Sequence, residues 1–117
     1  MEPASRASAW RKGFNVAHEN SDAKKDCGGV KYLKKAAGKC GICGDPWFMQ
    51  PRKLEPPGMF ATGIRTRTYL ENQTINVTIE MTKMEGGSFI FRLCANNNIK
   101  KDPDQKCFDK CCSFYLI

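Results

Sequence analysis

The chain holds a single histidine, His18, among 117 residues. Any site that takes two imidazoles from one chain is excluded, including two-histidine zinc sites and the HExxH helix of metalloproteases. No apolar run approaches the roughly 20 residues of a membrane-crossing helix, so no spanning segment is expected. The opening MEPASRASAWRKGF has no apolar core of the kind a signal peptide carries. No serine, cysteine or paired-carboxylate constellation for hydrolysis stands out, and no internal repeat is visible. His18 itself, in NVAHENSD, has no cysteine or aspartate partner at useful spacing and reads as an ordinary surface residue.

Cysteine, by contrast, is abundant, with seven residues. Such a density points to a secreted domain, which conflicts with the missing export signal. The odd count leaves at least one thiol unpaired within the chain. The CxxC at Cys40 and Cys43 is compatible with half a zinc ribbon, a redox pair or two disulfide halves. A ribbon wants a second CxxC, which Cys94, Cys107, Cys111 and Cys112 do not supply, and a redox pair wants a βαβ context. Disulfide halves are the preferred reading, with Cys27 joined to Cys40 and Cys94 to Cys107. Both close short loops, worth about 3 kcal/mol each in the chain-entropy account. Asn72-Gln73-Thr74 and Asn76-Val77-Thr78 are N-glycosylation sequons, which fit secretion and would otherwise be plain polar residues.

The net charge is +7, and hydrophobic and charged residues make up 41% and 26%. That mixture suits one globular domain spanning 1–117 rather than a disordered chain. Residues 1–58 read as loop-rich, with a short helix near 22–26 and disulfide staples. Residues 59–93 read as strands: 59–70 with Gly63 as a bulge, 74–82, and 87–93. In 74–82, Ile75, Val77, Ile79 and Met81 alternate with polar residues, the period-two pattern of a half-buried strand. Residues 94–117 read as loop and a divergent tail. The expected fold is mainly β, part of an immunoglobulin or fibronectin-III-like β-sandwich. Three strands leave an apolar face in need of a second layer.

Several stretches resemble one family. They are EPASRASAWRKGF, DCGG at Asp26 to Gly29, GKCGICGD at Gly38 to Asp45, GxFxxGxxxRTY over Gly58 to Tyr69, FIFRLCANNN at Phe89 to Asn98, and CFDK at Cys107 to Lys110. In order and spacing they resemble the arthropod and marine-invertebrate lytic polysaccharide monooxygenases of the chitin-binding type 4 superfamily. The resemblance implies the sandwich, secretion, and a flat face that lies on chitin or cellulose. It also implies copper in a histidine brace: an N-terminal histidine, a second histidine before a core strand, and a late axial aromatic.

This sequence departs from that pattern at all three places. The first ligand and the signal peptide would precede Met1, and the axial aromatic would follow Lys110. The second brace position falls on Glu85, a carboxylate that cannot replace an imidazole in a brace. The expectation is therefore a truncated or degenerate relative with no catalytic or metal-ligating residue of its own and no copper. The alternative is a non-catalytic chitin- or polysaccharide-binding protein. There Trp10, Trp47, Phe48 and Tyr69 offer stacking surfaces, unless they are core or loop anchors. A nucleic-acid binder rests on charge alone. The bases fall in scattered pairs that read as a solvated face. The expected partner is a polysaccharide, with no nucleic acid, no membrane, a monomeric state and an extracellular location.

Overall fold

A computed structural model of the chain describes residues 1–83, 86–110 and 113–116, the last four by backbone alone. Most of these residues run in irregular loops. The regular elements are a 3-10 turn at Ala9–Lys12, α1 at Val30–Lys35, β1 at Phe89–Arg92, α2 at Gln105–Lys110 and β2 at Ser113–Leu116. The strands pair antiparallel, from Phe89 opposite Leu116 to Arg92 opposite Ser113. No helix among the described residues is long and apolar enough to cross a membrane.

This arrangement corrects the sandwich expectation. Among the described residues the sheet has two strands, which is a ribbon and not two packed layers. Residues 59–70 form no strand, and 74–82 contribute one bridge, between Thr78 and Glu2. Alternation describes which face a strand would bury, but a strand exists only when a neighbour takes its backbone hydrogen bonds. Here the apolar side of 74–82 meets little protein, and Ile75 and Met81 stay 40% and 49% exposed. Of 87–93 only Phe89–Arg92 is extended and paired, and its partner comes from the tail expected to be irregular. The helix expected near 22–26 is a series of turns; the first α-helix starts after Gly29 instead.

The core sits in the loops. Ala7, Leu54 and Phe60 pack together, with Leu54 fully buried and half-buried Cys43 against them. Ala7 and Leu54 lie outside the segments read as strands, and Phe60 lies in 59–70, which forms none. They are held by polar ties that bring distant loops together. Arg6 pairs with Asp102 at 2.6 Å. The buried Asp45 accepts the Leu54 backbone N–H at 2.7 Å, and Glu2 pairs with Arg67 at 2.7 Å. Disulfides join Cys27 to Cys40 and Cys94 to Cys107, the two short-loop pairs expected from the spacing. The first loop closes around Gly28 at φ 87°, where an added Cβ would lie 2.8 Å from the Pro46 ring. Only glycine combines that backbone with that approach.

Candidate functional site

His18 is exposed and belongs to no group of metal-binding side chains among the described residues. Its ring stacks on Trp10 with centroids 4.4 Å apart and planes 22° from parallel. The Arg11 guanidinium also lies 4.2 Å from the Trp10 centroid. Arg11 is held in place by Asp22 at 2.6 Å, whose carboxyl is lowered from its usual range chiefly by that bond. Trp10 thus spends ring surface on its own neighbours and offers less of it to a sugar. No group of three or more histidine, cysteine or acidic side chains among the described residues is arranged to hold a metal. Glu85, the residue at the expected second brace position, lies outside the described residues. The donor set therefore does not suit a copper brace, which needs two imidazoles where the chain has one.

The other aromatic candidates separate into two places. Tyr69 is 42% exposed in the extended stretch after Phe60. Trp47 and Phe48 occupy the turn that follows the Cys40–Pro46 bridge, where the Met49 N–H reaches the Pro46 carbonyl at 3.0 Å. Both rings are exposed and ringed by cations. The Arg52 guanidinium lies 4.4 Å from the Trp47 centroid, the Lys39 ammonium 5.5 Å from it, and the Lys35 ammonium 5.7 Å from the Phe48 centroid. Arg52 is fixed by Glu55 at 3.1 Å and by the Trp47 carbonyl at 2.7 Å. Lys35 and Lys39 have no carboxylate partner among the described residues.

Beside this pair runs a groove of about 810 Å³, walled by Trp47, Lys39 and Lys25, with Gln105 at its margin and a floor of glycines. Gly41 and Gly44 hold that floor by hydrogen bonds to Asp45 and Gly41 carbonyls, both at 2.9 Å. Sequence reasoning picked out Trp47 and Phe48 but missed Lys35, Lys39 and Arg52. The available signal was local charge. Residues 24–53 hold eight basic and two acidic side chains, six of the chain's seven surplus positive charges.

A second hollow, of about 400 Å³, lies over the core between Arg6, Val16, Cys43, Phe60 and Thr66. Cys43, expected as a disulfide half, is instead the one described cysteine outside a disulfide. Burial pushes its thiol pKa up, against the opposing pull of Arg6, whose Nη1 is 3.7 Å from the sulfur. A raised thiol pKa is the reverse of what a nucleophile needs, so Cys43 is a packing residue of the core. Asn72 and Asn76, the sequon residues, are both exposed, Asn72 in a turn with φ 61°.

No protein-family model matches the chain, and no curated protein matches it. Among solved structures it is similar to a lytic polysaccharide monooxygenase AA15 from Thermobia domestica in the Cu(I) state. The two are 34% identical with a TM-score of 0.86, over 97% of this chain and 64% of that one. Both backbones follow the same path, and this chain spans a little under two thirds of its neighbour's length.

Proposed function

The chain being a relative of the lytic polysaccharide monooxygenases, we propose that these 117 residues bind polysaccharide without oxidising it. The observation that carries this reading is the fate of the one histidine. His18 is stacked on Trp10, and no second imidazole exists in the sequence to complete a brace. The exposed aromatics Trp47, Phe48 and Tyr69 supply surfaces on which pyranose rings stack. A chitin- or cellulose-like polymer is the partner this supports, met outside the cell by a monomeric single domain without nucleic-acid or membrane roles. Two disulfides fit an oxidising location. Two exposed sequons fit glycosylation there.

Two measurements test the reading. With copper and a reductant, the chain releases no oxidised oligosaccharides from β-chitin, and copper paramagnetic resonance shows no signal from a pair of imidazoles. Oxidised products would overturn the non-catalytic half. In a pull-down the chain is retained on β-chitin or on a second insoluble polysaccharide. Passage through every polymer tried would overturn the binding half.

A further inference from the structure

We propose that the groove beside Trp47, with Lys39 on its wall and the adjoining Phe48 and Lys35, binds an acidic polysaccharide. By that we mean a polymer whose sugar rings carry sulfate or carboxylate groups. The inference rests on polysaccharide binding as proposed above, gives it a place, and in this groove puts a charged polymer before the uncharged chitin- or cellulose-like one.

Three features converge there. The first is rigidity. The Cys27–Cys40 disulfide, the Cys40–Pro46 bridge and the Arg52 clamp on the Trp47 carbonyl hold the indole in place before any ligand arrives. A pre-set ring loses little freedom on binding. The second is the state of the cations. Arg52 already has Glu55, and Lys25 has Glu19 at 3.0 Å, so both are paired with a carboxylate. Lys35 and Lys39 instead hover over ring faces at 5.7 and 5.5 Å, near the outer limit of a cation–π contact. A sugar ring stacking on Phe48, or on the part of Trp47 that Arg52 at 4.4 Å leaves free, takes the place of those ammonium groups. An anionic substituent on the sugar then gives each a stronger, charge-assisted partner. A neutral polymer would displace the lysines and return nothing to them.

The third feature is the surrounding field. Six of the seven surplus charges come from residues 24–53, and two of the carboxylates nearby are engaged. Asp45 accepts the Leu54 N–H, and Glu55 holds Arg52 and the Ile42 N–H. A cleft lined by charge of one sign focuses its potential and attracts a polyanion. Gln105 at the margin supplies an uncharged amide suited to sugar hydroxyls.

The test is titration of the full chain with chondroitin sulfate, a neutral chitin oligosaccharide and duplex DNA in the same buffer. Chondroitin sulfate binds the most tightly of the three. The double variant Lys35→Glu with Lys39→Glu weakens it about tenfold, the scale of a few charge contacts. Trp47→Ala weakens it about fivefold, the scale of one ring contact, and Phe48→Ala does so in a second, independent position. Reversing two exposed charges elsewhere, Arg65→Glu with Lys83→Glu, has a much smaller effect, and circular dichroism shows every variant folded. Equal loss in the two charge-reversal pairs, or no loss in both ring variants, would overturn the assigned groove. Binding to the neutral oligosaccharide but not to chondroitin sulfate would sink the acidic partner while leaving polysaccharide binding intact. Binding to neither would sink both. DNA binding as tight as chondroitin sulfate, equally lost in the Lys35/Lys39 variant, would make the groove a nucleic-acid surface.

Discussion

Arg6 and Asp102, 96 positions apart in the chain, form a two-bond pair at 2.6 and 3.0 Å. Arg6 also donates to the carbonyl of Leu54, the fully buried residue of the core. One guanidinium therefore ties the N-terminal loop, the core loop and the segment before α2. Its pKa is raised above the usual arginine value, mainly by the bond to Asp102. With few ladder hydrogen bonds among the described residues, such a tie carries an unusual share of the tertiary order.

Removing it has a measurable consequence. Asp102→Ala leaves a half-buried guanidinium with one partner fewer, at a cost of about 2 kcal/mol and a fall of roughly 8 °C in Tm. Arg67→Ala breaks the exposed pair to Glu2 and leaves the midpoint close to that of the parent chain. Thermal melts of both variants check the contrast. Equal shifts would mean that Arg6 is not the tie described.

Acid acts through a different carboxylate. Glu19 is buried and accepts the Ser21 hydroxyl at 2.8 Å, its backbone N–H at 3.0 Å and the Lys25 ammonium at 3.0 Å. Its pKa falls from 4.5 to about 2, the Ser21 hydroxyl contributing most and burial opposing. The folded state thus prefers the ionised form. The stability this gives is fully present above pH 4.5 and is lost as pH falls toward 2. Glu19→Gln is expected to lower stability near neutrality and to flatten the dependence on pH in that window. Urea midpoints at pH 6 and pH 3, about one and a half units above and below 4.5, measure both effects. An unchanged slope in the variant would remove Glu19 as its source.

The disulfide pairs were legible because each joins cysteines 13 residues apart, where loop closure favours near neighbours. The core was not. Ala7, Leu54 and Phe60 come from three loops, and no periodicity links them, so only tertiary placement reveals that they meet. The opposite error occurred at Ile75 to Met81. A clean alternation suggested a strand, but alternation carries no information about whether a neighbouring strand is there to pair. The helix displaced to Val30–Lys35 shows how weak local propensity is: Lys24 and Lys25 are good helix formers, yet their segment turns to meet Glu19 and Gly44. At the candidate site the rings were visible as residue types. The lysines over them were not, since Lys35 and Phe48 belong to separate segments.

Cys43 gives a prediction about accessibility. Its thiol is half-buried against the core with a raised pKa, so little thiolate is present near neutrality. Iodoacetamide at pH 8, about half a unit below the usual thiol value, should label Cys43 slowly in the native chain and rapidly in urea. Peptide mapping by mass spectrometry reads that one site apart from the other cysteines. Equal rates in the two conditions would mean that the core around Leu54 opens freely.

The Cys27–Cys40 bond joins stability to the groove. Cys40 lies next to Lys39, bridges to Pro46, and so sets the turn that presents Trp47. Cys27→Ser with Cys40→Ser is expected to cost about 3 kcal/mol, as is Cys94→Ser with Cys107→Ser, because the closed loops are equal in length. Affinity for chondroitin sulfate separates the two. At a temperature where both variants remain folded, loss of Cys27–Cys40 frees the turn and adds an ordering cost to binding, whereas loss of Cys94–Cys107 leaves Trp47 and Lys39 in place and loosens only Gln105, a smaller loss. Calorimetric titration beside melting curves measures both quantities in the same samples. If the two double variants weaken binding alike, the turn is not the element that pre-sets the groove.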